Sequence, residues 1–143
     1  FQEGHAMFET GTPRIAEAIG WGAAVEWLSQ FDMREVHAHI HDISSWTADQ
    51  MLEVPGIRVF GDPNHPDSSG AVSFLHDSIQ SQDLAILLDE GGFAVRTGHH
   101  CAQPLMERMG VSATTRASFG MYNTREEADT LVAALESVRE LFG

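Results

Sequence analysis

Glycine and proline residues cut this sequence into short segments whose hydrophobic patterns alternate between helical and extended. Apolar residues at helical spacing predict helices over residues 14–30, 33–54, 81–90 and 103–109, and from 123–127 to about 141. Short apolar or alternating stretches predict strands over residues 57–60, 71–75, 93–96 and 114–119. Because the loops between these segments are short, we predict an α+β fold in which a small, mostly antiparallel sheet is flanked by helices.

The first predicted helix is preceded by a pair of residues that often starts helices. Thr12 is a suitable N-cap, and Pro13 is a suitable first helical residue. The small residues Gly20, Gly22 and Ala23 fall within the helix that follows. We therefore predict that this helix is capped by Thr12 and has a closely packed face.

Charge and composition exclude some classes of partner. The formal net charge is -13, and an acidic surface repels phosphate backbones, so we predict no nucleic-acid partner. No apolar run approaches the roughly 20 residues that a membrane span needs, so we predict no membrane partner. All 8 basic residues are Arg and none is Lys. Since Schiff-base chemistry with an enzyme amine needs Lys, this chain by itself does not supply that group.

The single cysteine lies in a segment that suits reactive chemistry. Cys101 follows Arg96, His99 and His100 in the sequence, and a predicted helix begins just after it. Nearby cations and helix N-termini favour the nucleophilic thiolate, and Gly98 permits loop conformations that other residues resist. The alternative is a buried structural cysteine, which is common in proteins. One cysteine forms no internal disulfide, so we expect a reducing, cytoplasmic environment.

Four blocks of sequence resemble one known family. They are RTGHHCAQP at residues 96–104, FETGTP at residues 8–13, TRASFGMYNT at residues 115–124, and the closing helix after REE at residues 125–127. In this order they resemble SUF-type cysteine desulfurases, a branch of the class V aminotransferase group of fold-type I pyridoxal-phosphate (PLP) enzymes. The resemblance spans nearly the whole chain and identifies it as the C-terminal portion of such an enzyme.

The resemblance implies a reaction and roles for two residues in it. Enzymes of this family convert L-cysteine to L-alanine and leave a persulfide on the enzyme, with PLP as the electron sink. Cys101 matches the catalytic cysteine, whose thiolate attacks the substrate sulfur. Arg116 matches the arginine that binds the substrate carboxylate, a role that suits a planar guanidinium. Without the resemblance, Arg116 would be expected in an ordinary surface ion pair.

Further roles follow from the same resemblance. Arg96 matches a second arginine of the substrate pocket, and His99 is a candidate for proton transfer or for orienting a neighbouring group. Gly11 and Thr12 match the segment that reaches the PLP phosphate of the neighbouring subunit. Residues 1–14 would then belong to the side of the cofactor domain. Residues 15–143 would form a small C-terminal domain that carries the catalytic cysteine loop.

The resemblance also implies what surrounds this chain. The whole enzyme would be a homodimer that passes its persulfide sulfur to an acceptor protein for iron–sulfur cluster assembly. Its Schiff-base Lys would lie outside this chain, so we expect no covalent PLP here and an inactive isolated chain. Two alternatives remain open: a selenocysteine lyase, and a truncated, non-catalytic domain that relays sulfur or serves as a binding module.

Three histidines suggest a metal site. His37 and His41 are four residues apart and would share one helical face, with His39 between them. Zinc sites in proteins need at least three protein ligands, and no third ligand is evident in the sequence. We therefore predict that this chain holds no metal.

Overall fold

The computed structural model describes residues 4–8 and 11–142. The chain forms two compact units, residues 1–35 and 36–143. Glu9 and Thr10, within the FETGTP block, lie outside the described residues. The division after residue 14 stays a prediction.

The N-terminal unit contains a 3-10 helix (Gly4–Phe8) and helix α1 (Ile15–Leu28). The predicted N-cap at Thr12 is wrong: the cap residue of α1 is Arg14, which has no side-chain capping bond. The first helical hydrogen bond runs from the Ala18 N–H to the Arg14 carbonyl, at 3.1 Å. Thr12 therefore lies two residues upstream of the N-cap position, which its hydroxyl does not occupy.

Helix α1 has no packed face within the described chain. None of its side chains is buried. A Cβ built on Gly20 or Gly22 would meet no described atom within 4 Å. The predicted close-packed face is therefore not formed by the residues that the structure describes.

The remaining elements follow in the predicted order. They are α2 (Met33–Glu53), β1 (Ile57–Phe60), β2 (Ala71–His76), α3 (Ser81–Glu90), β3 (Arg96–Gly98), α4 (Gln103–Met109), β4 (Thr114–Ser118) and α5 (Arg125–Phe142). The strands form one sheet in the order β1-β2-β4-β3, and all three pairings are antiparallel. The predicted α+β fold with a small antiparallel sheet is thus confirmed.

One face of the sheet packs on helices α2, α3 and α5. In β2 and β4, Val72 lies opposite Ala117 and Phe74 lies opposite Thr115, and all four side chains are buried. Burying a side chain as large as Phe74 contributes about 1.5–3 kcal/mol. The core cluster consists of Ala48, Met51, Val72, Phe74, Ile79, Leu84, Leu88, Ala117, Leu131, Leu135 and Val138.

The predicted third strand at residues 93–96 is displaced towards the C-terminus. The Phe93 N–H bonds to the Leu88 carbonyl and the Gly92 N–H to the Asp89 carbonyl, both at 2.9 Å. These two bonds form a Schellman motif that ends α3, with Gly92 at a positive φ of 86°. Phe93 therefore completes the helix terminus, and regular pairing with β4 begins only at Arg96.

The described helices do not meet the requirements of a membrane span. None of them is both long enough and apolar enough to cross a bilayer.

Candidate active site at the cysteine loop

The face of the sheet opposite the core carries two arginines side by side. Side chains alternate between faces along a strand, so Thr114 and Arg116 point away from the side on which Thr115 and Ala117 are buried. Arg96 of β3 is the direct register partner of Arg116. Both guanidinium groups therefore start from the same face of adjacent strands.

The positions of these two arginines suit the binding of an anion. Like charges directly opposite each other on neighbouring strands repel. Among the described residues, no carboxylate forms an ion pair with Arg96 or Arg116. The Arg116 Nε is buried and has no hydrogen-bond partner there. Two planar guanidinium groups with free donors suit a carboxylate, which each can bind with two parallel hydrogen bonds.

Cys101 lies in a strained turn beside these arginines. The Ala102 N–H donates to the His99 carbonyl at 2.9 Å, which closes a four-residue turn. The two central residues, His100 and Cys101, have φ values of 55° and 61°, as in a type I′ turn, which Gly, Asn and Asp normally occupy. They are the only non-glycine residues with positive φ in the described chain. Such a backbone costs roughly 1–3 kcal/mol per residue.

The Cys101 thiol is exposed and is contacted by a cation. Its side chain is accessible to solvent, so the buried structural alternative is wrong. The Arg96 Nη2 donates to the Cys101 Sγ at 3.6 Å, within the range for a sulfur acceptor. Gly98, just before the turn, has a φ of 111°, as expected for a position that needs glycine. The Cys101 sulfur is therefore both accessible to a reactant and contacted by a cationic hydrogen-bond donor.

His100 ties the turn to strand β4. Its Nε2 lies 3.1 Å from the Thr114 carbonyl and 2.9 Å from the Thr114 Oγ1. Because a carbonyl only accepts, Nε2 must carry the proton in this arrangement. Burial lowers the pKa of His100 below its ordinary value, and the charges of Arg116, Arg96 and His99 lower it further. The ring is therefore neutral near pH 7.

The contact between His100 and Thr114 was not predicted from the sequence, in which His100 counted only as a nearby cation. The sequence analysis singled out His99, whose side chain is exposed and which contributes its backbone carbonyl to the turn. A usable signal was present, because Thr114 lies two residues before Arg116 and so shares its face of β4. Gly11 and Thr12 are exposed residues of the N-terminal unit.

Each of the three histidines of α2 has a hydrogen-bond partner within the chain. The His37 Nε2 lies 3.0 Å from the Pro66 carbonyl, and the His39 Nε2 lies 3.0 Å from the Asn123 carbonyl. The His41 Nδ1 lies 2.7 Å from the Ser45 hydroxyl. Within the described part of the chain, no group of three or more His, Cys, Asp and Glu side chains is placed to hold a metal ion.

Comparison with known proteins assigns the family. The model of the aminotransferase class-V family matches residues 1–131. The chain belongs to this family. A probable cysteine desulfurase from Streptomyces coelicolor is 45% identical over 136 residues, which is 95% of this chain and 32% of the relative. A cysteine desulfurase from Haloferax volcanii is 46% identical over 135 residues, 94% of this chain and 32% of the relative.

Solved structures of cysteine desulfurases share the fold. The crystal structure of the cysteine desulfurase CsdA from Escherichia coli superposes with a TM-score of 0.86 at 37% identity, covering 93% of this chain and 32% of that protein. The apo structure of a cysteine desulfurase from Thermococcus onnurineus gives a TM-score of 0.87 at 33% identity, covering 96% and 34%. The chain thus spans about a third of the length of the relatives that it matches.

Proposed function

We propose that the protein carrying this chain is a PLP-dependent cysteine desulfurase, which converts L-cysteine to L-alanine and holds the removed sulfur as a persulfide on Cys101. One observation carries the proposal: an exposed thiol is hydrogen-bonded to Arg96, whose register partner on the same sheet face is Arg116. A nucleophile and two anion-binding groups are thereby brought together. The names of the relatives support the same reaction.

The two arginines bind and orient the substrate in this proposal. Arg116, with a buried donor still unpaired, holds the α-carboxylate of the amino acid. Arg96 contributes from the neighbouring strand and also keeps the Cys101 sulfur in place. His99, exposed at the entrance of the turn, takes up or delivers a proton, or orients a neighbouring group.

Cys101 accepts the sulfur. Its thiolate attacks the sulfur of the substrate cysteine, and a sulfur–sulfur bond forms as the carbon–sulfur bond of the substrate breaks. The electron pair of that bond stays with carbon, which takes up a proton and is released as L-alanine. The two sulfurs are oxidised to the persulfide level and the carbon is reduced, so no external oxidant is needed.

The residues present do not fit covalent attachment of PLP. Enzymes hold PLP as a Schiff base with Lys, and none of the 143 residues is Lys. When bound, the cofactor supplies an electron sink for the substrate carbon. We assign its attachment to a part of the protein outside this chain, with Gly11 and Thr12 reaching the cofactor phosphate of the neighbouring subunit.

The proposal extends to the setting of the enzyme. The whole protein would be a cytoplasmic homodimer that hands its persulfide sulfur to an acceptor protein for iron–sulfur cluster assembly. The single, exposed cysteine supports the transfer step, because a persulfide must be reachable by the thiol of a second protein.

A two-substrate assay tests the reaction. A full-length protein that carries this chain, loaded with PLP, is compared with its Cys101→Ala and His65→Ala variants on L-cysteine and L-selenocysteine. Cys101→Ala should lower alanine release from L-cysteine by at least about a hundredfold, as loss of a catalytic nucleophile does. His65→Ala, in the exposed loop after β1, is the matched control and should be unchanged.

The assay on L-selenocysteine distinguishes a cysteine desulfurase from a selenocysteine lyase and from a non-catalytic domain. Selenium leaves carbon more easily than sulfur does, so selenide release should survive in Cys101→Ala. If the wild-type protein uses only L-selenocysteine, it is a selenocysteine lyase. If neither substrate reacts, the non-catalytic alternative holds. If L-cysteine is consumed equally by wild type and Cys101→Ala, the proposed role of Cys101 is wrong.

A further inference from the structure

Two strained residues and one anchor define the cysteine loop. His100 and Cys101 both adopt left-handed backbone conformations, which side chains normally disfavour. The turn that holds them has one backbone hydrogen bond across it, from the Ala102 N–H to the His99 carbonyl. That bond alone does not fix where the turn lies relative to β4.

The anchor joins the turn to the strand that carries Arg116. The His100 ring bonds to both the carbonyl and the hydroxyl of Thr114. Thr114 is fully buried and pairs with Gly98, the residue at the exit of β3. The ring of His100 therefore docks on a rigid strand position two residues from Arg116, on the same face of the sheet.

We propose that His100 is a positioning residue: by binding Thr114 it holds the turn in its left-handed conformation and keeps the Cys101 sulfur against the Arg96 guanidinium. This inference rests on the proposed function, in which Cys101 is the nucleophile. His100 does not touch the sulfur. It acts by restricting the backbone on which the sulfur is carried.

The bonds between His100 and Thr114 give a reason why position 100 is not glycine, although its φ value is positive. Glycine at position 100 would adopt a φ of 55° without strain, but it would remove the bonds to Thr114. A turn without the anchor would sample conformations in which Cys101 leaves Arg96. Glutamine at position 100 places its amide donor near the position of the imidazole Nε2, so it is the conservative replacement for the bond to Thr114.

A ratio of two alkylation rates tests the proposal. Iodoacetate and iodoacetamide both react with the thiolate, so the ratio of their rates does not depend on how much thiolate is present. The ratio reports the charge next to the sulfur. It is measured in the 143-residue chain, whose single cysteine makes the reacting residue unambiguous, and folding of each variant is checked by circular dichroism.

The expected ratios distinguish an effect of His100 on the position of the Cys101 sulfur from an effect on the stability of the folded chain. Arg96→Gln should lower the iodoacetate-to-iodoacetamide ratio by about fivefold, the effect of one unit charge at about 4 Å in water. The ratio of His100→Gly should fall close to that of Arg96→Gln, the ratio of His100→Gln should stay near that of wild type, and the ratio of His65→Asn should equal it.

A folded His100→Gly with the wild-type ratio overturns the proposal. If His100→Gly does not fold, His100→Leu decides instead, because leucine keeps a side chain of similar size but has no hydrogen-bond donor: a lowered ratio supports the anchor, and an unchanged ratio overturns it. The ratio needs no desulfurase activity. The ratio can therefore contradict the role of His100 while the Cys101→Ala assay supports the proposed reaction. It can equally support the role of His100 while that assay contradicts the reaction.

Discussion

Backbone strain and side-chain hydrogen bonding oppose each other at the cysteine loop. The positive φ values of His100 and Cys101 raise the conformational free energy of the backbone. The bonds from His100 to Thr114 offset part of that cost. The ring is partly buried near Arg116 and Arg96, so its charged form is disfavoured. Protonation of this imidazole is therefore less favourable in the folded chain than in the unfolded chain.

The stabilising effect of His100 should depend on pH. Its pKa in the folded chain lies below the ordinary value of about 6.5, so folding favours the neutral ring. A lowered histidine pKa contributes stability that is present above the unfolded pKa and is lost as pH falls through the folded pKa. Besides Arg116 and Arg96, the charge of His99 also lowers the pKa of this ring.

The measurement is the urea unfolding free energy of wild type minus that of His100→Asn, at pH 7.5 and at pH 5.0. The difference should be larger at pH 7.5. Subtracting the variant removes the titration of the other histidines. A difference that is equal at both pH values, or larger at pH 5.0, would contradict the lowered pKa of His100.

Helix α5 begins with a reciprocal cap. The Glu127 N–H donates to the Thr124 Oγ1 at 3.2 Å, and the Thr124 N–H donates to the Glu127 Oε2 at 3.0 Å. The Asn123 side chain also donates to this carboxylate, at 3.0 Å. That bond, followed by the one from the Thr124 N–H, lowers the pKa of Glu127. This capping box fixes where the closing helix leaves β4.

Removing the cap should destabilise the chain. We expect Thr124→Ala to lower the free energy of unfolding in urea at pH 7 by about 1 kcal/mol, within the usual 0.5–2 kcal/mol for N-caps. Thr130→Ala is the matched control, because Thr130 is exposed within the same helix and its hydroxyl bonds only to the Glu126 carbonyl. It should be neutral or slightly stabilising, since Ala is the better helix former. Equal losses in both variants would refute the capping role.

Elements defined by local patterns could be predicted from the sequence, whereas those set by distant partners could not. The bounds of α3, α4 and β1 agree with the predictions, and each of these elements ends directly before a glycine, at Gly91, Gly110 and Gly61. The predicted strand at residues 93–96 failed because the Schellman motif at Gly92 takes the Phe93 N–H. In the site, Cys101 and Arg96 were evident from one short segment, but the opposition of Arg96 and Arg116 depends on strand pairing.

At the scale of the whole molecule, the chain provides one set of functional groups and lacks another. It carries two arginines on one sheet face and a thiol in the turn beside them. None of its 143 residues is Lys, so the amine that would bind PLP is missing. The chain also covers 32% of its first two relatives. The proposed enzyme is therefore divided between this chain and a further part of the protein.

The chain alone should not acquire PLP on any side chain. After incubation with PLP and reduction by borohydride, peptide mass spectrometry should find a pyridoxyl group at most on the amine of Phe1. A lysine-containing peptide in the same tube is the positive control. A stable absorbance band that remains with the folded chain after gel filtration would show that this expectation is wrong.

The alternation along β4 couples the length of one connection to the chemistry of the site. Thr115 and Ala117 face the core, and Arg116 lies between them on the other face. Since the period of a strand is two residues, gaining or losing one residue at positions 111–113 would exchange the two faces. An arginine would then enter the core, and an alanine would replace it on the outside. The connection at residues 111–113 should thus tolerate changes of residue type far better than changes of length.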